Sequence, residues 1–250
     1  MGHPPLPEQL SHLASCGNGL VLAVEGPAQM NWRNGLLDAH EFDEACRRIR
    51  EAYHAAYKVL AGAHQQRLAD LKKEIARAKN GEDIYDIQQI LWYEESRWRE
   101  QTRTLGAMAI ALLGSATKSH LDRQKSRRAR THPADPKGYA GGSQLQRQVT
   151  EYDARFDVDL ERVECFQTVR ELELARNDCL HNEGIPTENY MTQTRRRLLD
   201  EDEIINMSPE ALELFIGELS TFFSSLQGQM REREKAAETR KRQEGEATDQ

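Results

Sequence analysis

Apolar residues recur every three or four positions along most of the chain, the spacing that is typical of amphipathic α-helices. This pattern predicts a first helix over 37–79 that ends at Asn80 and Gly81, because glycine readily adopts the left-handed conformation of a helix cap. A second helix is predicted over 83–127. The turn between the two is short, so they are predicted to form a long antiparallel hairpin on the N-terminal side.

A third helix is predicted from Leu145 to about His181, with its clearest apolar stripe after Asp157. Gly184 and Pro186 follow closely. They predict the end of this helix, because glycine favours the left-handed cap and proline cannot continue the helical hydrogen bonds.

The fourth helix has the clearest start signal. Ser208 is a typical N-cap residue, Pro209 suits the first helical position, and an apolar stripe then runs from Leu212 to Leu226. The connector that precedes it, 187–207, contains a short alternation of apolar and acidic residues, which favours a minor strand pair.

The sequence therefore predicts an all-α protein with one helical domain at 36–230, whose core is 83–230. Prolines and glycines without clear periodicity predict a mostly irregular N-terminal arm at 1–35 and an exposed loop at 130–143. The last residues, 231–250, are polar and of mixed charge, which predicts a charged C-terminal tail or a fraying helix rather than core.

Composition narrows the function classes. Charged residues make up 30% of the 250 residues and hydrophobic residues 38%, which suits helices with wide solvated faces. The formal net charge of −7 argues against binding duplex nucleic acid over a broad surface, because such binding neutralises many phosphates at once. A small local basic site remains compatible with this charge.

The sequence predicts a cytoplasmic protein with no membrane span. The N-terminus lacks a basic segment followed by an apolar one, and the longest apolar stretch, 105–113, is far shorter than the roughly 20 residues of a spanning helix. The four cysteines form no CxxC pair and have no histidine at metal-ligand spacing, so neither a zinc site nor a disulfide framework is expected.

Charged side chains interrupt the apolar stripe near the end of the third helix. At about 100° per residue, Glu173 and Arg176 fall on the same arc as Val169, Leu172 and Leu180. An isolated buried charge costs several kcal/mol. The two residues are therefore expected either to form an i,i+3 ion pair or to line a cleft or a subunit interface.

The segment Arg176-Asn177-Asp178-Cys179-Leu180-His181 resembles the R-x4-6-H motif of the HEPN superfamily, and His181-Asn182-Glu183-Gly184 resembles its frequent H-N-x-G continuation. The order of elements is similar as well, since HEPN domains carry this motif near the end of a core helix, followed by a loop and one closing helix. The resemblance spans about 83–230. Glu183 stands where the R-x4-6-H-x-Y form has tyrosine, which puts regulation through a modified tyrosine in doubt.

The resemblance implies a HEPN-like helical bundle that acts as a metal-independent endoribonuclease, usually a dimer in which the two motifs meet. His181 is then the general acid or base, and Arg176 binds the scissile phosphate through its guanidinium. Asn177 orients either group, helical spacing places Glu173 to hold Arg176, and Asn182 is a further supporting residue. No metal or cofactor is expected. The implied partners are RNA, a second copy of the chain, and an antitoxin or defence-system protein.

Two basic runs are secondary candidates for RNA contact, although such runs are on average solvated faces. They are Arg127, Arg128 and Arg130 before the predicted loop, and Arg195, Arg196 and Arg197 in the connector.

Three functions remain open. The first is a HEPN-type endoribonuclease, either a growth-arresting toxin or a phage-defence effector. The second is a catalytically silent HEPN-like module for dimerisation or partner binding. The third is an unrelated helical interaction protein that uses the long hairpin and the charged tail. We interpret the aromatic cluster of Trp92, Tyr93 and Trp98 as hairpin packing rather than as a base-stacking platform.

Overall fold

Helices account for nearly all of the structure. The computed structural model of the protein describes residues 39–78, 81–128 and 143–248. Within these residues 84% are α-helical and no strand occurs, which confirms the predicted all-α fold. The helices are α1 (Ala39–Arg77), α2 (Gly81–Arg128), α3 (Gln144–Phe156), α4 (Phe166–His181), α5 (Glu188–Gln193) and α6 (Pro209–Thr248). The predicted arm at 1–35 and most of the predicted loop at 130–143 lie outside the described residues.

Helices α1 and α2 pack together as the predicted hairpin. Trp98 of α2 stacks on His64 of α1, with ring centroids 4.9 Å apart. Trp92 and Tyr93, in contrast, are 72% and 61% exposed. The interpretation of this cluster as hairpin packing is therefore correct for Trp98 and wrong for the other two, because each helix of a two-helix hairpin buries only one face.

The core lies where the first half of α1 meets α2, α4 and α6. Phe223 of α6 packs edge-on against Phe42 of α1, with ring centroids 4.5 Å apart. The hydroxyl of Tyr53 in α1 donates to the main-chain oxygen of Met207, just before α6. The core therefore begins well upstream of residue 83. Its fully buried members include Ile110, Leu113, Leu160, Leu172, Phe215, Leu219, Phe222 and Leu226.

The predicted third helix is in fact two helices, so the prediction of one continuous helix is wrong. After α3, Asp157 adopts a left-handed conformation with φ of 53°. A 3-10 turn over Leu160–Arg162 leads to Cys165, with φ of 62°, and α4 begins at the next residue. Leu160 and Val163 are both buried at three-residue spacing, so the apolar pattern continues across a break in the backbone.

The connector between α4 and α6 is held closely against α2. It contains α5 and one antiparallel bridge between Leu199 and Ile205, so the favoured strand pair is reduced to a single bridge. Arg103 of α2 forms an ion pair of 2.8 Å with Asp200. Gly106 allows the close approach, because a Cβ at this position would lie 2.6 Å from the main-chain nitrogen of Met207.

Helix α6 begins as predicted and continues further than predicted. Pro209 is its first residue, and the Oγ of Ser208 accepts a hydrogen bond of 3.1 Å from the N–H of Ala211. The segment predicted as a charged tail or a fraying helix, 231–250, is helical as far as Thr248. Its alanines and long charged side chains are good helix formers, which explains why a polar segment extends the helix.

Replacing the N-cap of α6 should measurably destabilise the protein. We expect Ser208→Ala to lower the free energy of unfolding by about 1 kcal/mol, because the N–H of Ala211 loses its acceptor. Ser224→Ala is the matched control, since Ser224 is exposed in the interior of the same helix. Urea denaturation of both variants checks this, and equal effects would contradict the capping role.

Candidate functional site

The inner face of α4 is partly polar. Glu171, Leu172, Ala175 and Asp178 are all buried against the rest of the domain. Leu180 is 53% exposed, so the prediction that it shares the buried arc is wrong. The arc was misplaced because two of the buried residues, Glu171 and Asp178, are acidic and read as solvent-facing in an apolar pattern. Of the residues that carry the R-x4-H motif, His181 is exposed, and Arg176 and Asn177 are half-buried.

Arg176 lies against α2, and its guanidinium forms no ion pair with a residue that the structure describes. A Cβ at Gly114 would lie 2.7 Å from Cδ of Arg176, so the aliphatic part of the side chain crosses the helix at that glycine. The Nε atom is buried and has no hydrogen-bond partner among the described residues.

The lack of a carboxylate partner is unusual among the half-buried arginines that the structure describes. Among the residues described, every other half-buried arginine forms an ion pair with a carboxylate. The partners are Glu213 for Arg50, Asp200 for Arg103, Glu41 for Arg123, Glu151 for Arg155, Glu161 for Arg170 and Glu171 for Arg197.

His181 and Asn177 lie on the side of α4 that is turned away from Arg176. His181 is the last residue of the helix and is exposed. Asn177 lines a cleft of about 60 Å³ between α3, α4 and α5, which Gln193 also lines. Helical spacing separates Arg176 from His181 by about 140° around the axis and about 7.5 Å along it. Within one chain the two side chains therefore leave the helix in different directions.

Glu173 forms no ion pair with Arg176 among the described residues, although the two are at i,i+3. It instead lines the cleft that contains Asn177 and a second one beside Gly114 and Lys118. The sequence left two alternatives for Glu173, an i,i+3 ion pair with Arg176 or a position that lines a cleft or an interface. In the structure Glu173 lines a cleft.

Asp178 holds the turn that follows the motif. Its buried carboxylate accepts hydrogen bonds from the main-chain N–H of Thr187 at 2.8 Å, from the Thr187 hydroxyl at 3.1 Å and from the Asn182 side chain at 3.1 Å. Gly184, with φ of 81°, allows the chain to reverse there. Asn182 thus supports the motif through Asp178, a residue to which the sequence analysis assigned no role.

A second buried carboxylate, Glu171, binds the connector. It accepts hydrogen bonds of 2.6 Å from the main-chain N–H of Arg197, 2.9 Å from its Nε and 3.2 Å from the Tyr190 hydroxyl. Arg197 also contacts Glu218 of α6 at 2.7 Å and lies 4.6 Å above the ring of Phe215. Burial acts to raise the pKa of Glu218, but hydrogen bonds from Thr168 and Arg197 together lower it.

The arginines of the two basic runs, which are the secondary candidates for RNA contact, differ in exposure and in hydrogen bonding. The donors of Arg197 are engaged within the protein. Arg195 is exposed, and Arg196 is exposed while its Nε donates to the main-chain oxygen of Met191 at 2.9 Å. Arg130 and the side chains of Arg127 and Arg128 lie outside the described part of the chain. The sequence analysis missed Glu171 because an acidic residue reads as solvent-facing in an apolar pattern, although Thr168, Glu171, Ala175 and Asp178 share a spacing of three or four residues.

A groove of about 610 Å³, lined by apolar side chains together with Glu100, Arg103 and Glu183, runs between α2 and the end of α4. Exposed Met108 of α2 and exposed Leu180 of α4 line it, and Ile185 is exposed just beyond. Burial raises the pKa of Cys179, which also lines the groove, to about 11, so this thiol is protonated at neutral pH. Clustered exposed apolar side chains are typical of surfaces that bind another protein.

Over 39–78, 81–128 and 143–248, no three His, Cys, Asp or Glu side chains are grouped so as to hold a metal ion. In the same residues no helix carries an apolar stretch long enough to cross a bilayer. Comparison of the chain with models of protein families, with curated proteins and with solved structures finds no match.

The ion pair between Glu171 and Arg197 should be essential for stability. We expect Arg197→Met to lower the free energy of unfolding by about 3–5 kcal/mol, because it leaves the buried Glu171 carboxylate unpaired. Arg195→Met, at an exposed neighbouring position, should change it by less than about 0.5 kcal/mol. Adding Glu171→Gln to Arg197→Met should restore part of the loss. Chemical denaturation measures all of these, and a mild effect of Arg197→Met would argue against the pair.

Proposed function

We propose that the protein is a HEPN-type endoribonuclease that cleaves RNA by transesterification and needs no metal ion. The observation that carries the proposal is that the guanidinium of Arg176, half-buried against α2, forms no ion pair with a described residue, while the imidazole of His181 on the same helix is exposed. Cleavage of RNA needs these two kinds of group, a cation for the phosphate and a proton carrier that works near neutral pH. The expected setting is a cytoplasmic toxin or phage-defence effector.

In the proposed reaction the ribose 2′-oxygen attacks the adjacent phosphorus, and the bond from phosphorus to the 5′-oxygen of the next nucleotide breaks. The 2′-hydroxyl loses a proton to a base and the leaving 5′-oxygen gains one, so the products are a 2′,3′-cyclic phosphate and a 5′-hydroxyl. Arg176 stabilises the negative charge that develops on the phosphate oxygens, and His181 carries one of the two protons. Asn177, between them on the helix, orients the ribose or the phosphate.

A second copy of the chain would complete this site. Arg176 and His181 of one chain diverge by about 140° around α4, so one motif does not readily direct both groups at one phosphate. Two motifs that meet would provide two imidazoles, one for each proton, and both guanidiniums. The exposed apolar side chains of Met108 and Leu180, which line the groove beside the motif, support such a contact.

The same groove also favours the second candidate, a HEPN-like module that binds a second copy or another protein and cleaves nothing. An antitoxin or a defence-system partner would occupy this surface in either case. The two candidates differ in the role of the unpaired Arg176, which a purely structural module does not need.

Purified protein should cleave a mixed RNA pool in the presence of EDTA and should spare DNA and RNA with a 2′-deoxy scissile nucleotide. His181→Ala should lower turnover by roughly 10²–10⁴-fold. Arg176→Ala should be inactive, and Arg176→Lys should fail as well, because a point charge does not reproduce the bidentate contact. Mapping the ends of the products tests the chemistry.

Arg97→Ala is the control for these variants, because Arg97 is exposed on the outer half of the hairpin. Cleavage that needs Mg²⁺, or that cuts single-stranded DNA equally well, would rule out the proposed mechanism. A folded protein that cleaves no RNA would favour the silent module.

The groove should mediate dimerisation. We expect the protein to be a dimer at micromolar concentration and Met108→Glu to make it monomeric, because a charge in an apolar interface is not solvated there. Leu214→Glu is the matched control, since Leu214 is 46% exposed on α6, outside the groove. Analytical ultracentrifugation separates the outcomes, and a monomeric wild-type protein would contradict this arrangement.

A further inference from the structure

Among the described residues, two cations at the contact between α2 and α4 have no carboxylate partner. Lys118 is half-buried like Arg176, and neither forms an ion pair with a residue that the structure describes. The other half-buried lysine in the described residues, Lys125, lies 2.7 Å from Glu151. Within the described residues, the half-buried lysine and the half-buried arginine that form no ion pair are therefore Lys118 and Arg176. Both lie at the contact between α2 and α4.

Gly114 contacts one of these cations, Arg176, and lies one helical turn before the other, Lys118. Gly114 and Lys118 line a cleft together with Thr117 and Glu173. The side chain of Arg176 crosses α2 at Gly114, where any Cβ would be 2.7 Å from its Cδ. Two buried polar atoms here lack a hydrogen-bond partner among the described residues, Nε of Arg176 and Oγ1 of Thr117.

We propose that this α2–α4 seam, formed by Gly114, Lys118 and Arg176, binds two successive phosphates of a single-stranded RNA. Arg176 holds the scissile phosphate, Lys118 holds a neighbouring phosphate, and the missing side chain of Gly114 lets Arg176 lie close to α2. The identity of the ligand as RNA rests on the proposed function. Lys118 and Glu173 line the cleft, and Arg176 contacts Gly114 beside it, so two cations and one carboxylate at the seam leave one net positive charge for a polyanion.

Salt dependence tests the phosphate contacts directly. The probe is a single-stranded oligonucleotide with 2′-O-methyl riboses, which binds without being cleaved by attack of a 2′-hydroxyl. Each phosphate contact with a single strand contributes about 0.7 to the slope of log K against log salt concentration. Lys118→Gln and Arg176→Gln should each lower the slope by about 0.7, and the double variant by about 1.4. Lys72→Gln, at an exposed position of α1, should leave it unchanged.

The outcomes separate this proposal from the proposed function. If the wild-type protein cleaves RNA but Lys118→Gln keeps the wild-type slope, the seam is wrong and the nuclease assignment stands. If nothing is cleaved but the slope falls as expected, the seam stands without the nuclease. If the wild-type protein does not bind the oligonucleotide, the seam is wrong.

Gly114→Ala tests the positioning of Arg176. Alanine is favoured over glycine inside a helix, so Gly114→Ala should raise Tm more in an Arg176→Ala background than in the wild-type protein, where the new methyl group displaces Arg176. Gly62→Ala is the control, since nothing lies within 4 Å of a Cβ there, and it should raise Tm equally in both backgrounds. Gly114→Ala should also weaken oligonucleotide binding. An equal rise of Tm in both backgrounds, or unchanged binding, would overturn the positioning role of Gly114.

Discussion

The packing of α4, the connector at 187–207 and α6 depends on one buried carboxylate. Glu171 is inaccessible to solvent, and a charge in that position is tolerated only when it is paired and hydrogen-bonded. Arg197 supplies both its guanidinium and its main-chain N–H, which fixes the connector on α4. The same guanidinium reaches Glu218, which fixes α6. Because α4, the connector and α6 share this network, their relative placement is specified by directional bonds as well as by apolar packing.

The orientation of the motif follows from this network. Glu171 and Asp178 are seven residues apart, so both point inward, one toward the connector and the other toward the turn at Thr187. With these residues on the inner face, Arg176 is left on the side of α4 that contacts α2, and Asn177 and His181 are left on the side turned away from Arg176. The bonds of Asp178 also fix where α4 ends. His181 thus lies at a defined helix terminus, although its own side chain is exposed.

The sequence was sufficient to predict those helices that have a local signal of their own, either an apolar stripe or a start signal. Apolar periodicity and the Ser208-Pro209 start predicted α1, α2 and the beginning of α6. The break at Asp157 was not predictable in this way, because a left-handed residue leaves no mark in a pattern of apolar spacing. The outward turn of Leu180 was missed for a related reason. Burial of Glu171 depends on Arg197, which is 26 residues away in sequence. The spacing of apolar residues along one helix does not reveal a partner at that distance.

Carboxylates are abundant in the chain, so the lack of an ion pair for Arg176 among the described residues does not reflect a scarcity of acidic partners. It contains 41 acidic and 34 basic residues, and the other half-buried arginines of the described regions all have acidic partners. A partner for Arg176 even stands at i,i+3, the spacing of a helical ion pair, yet Glu173 lines neighbouring clefts instead. A half-buried donor left unsatisfied lowers the stability of the folded state, and an anionic ligand would restore it. A local loss of stability that a ligand reverses is typical of binding sites, so the lack of a carboxylate partner for Arg176 among the described residues supports the proposed contact with a phosphate.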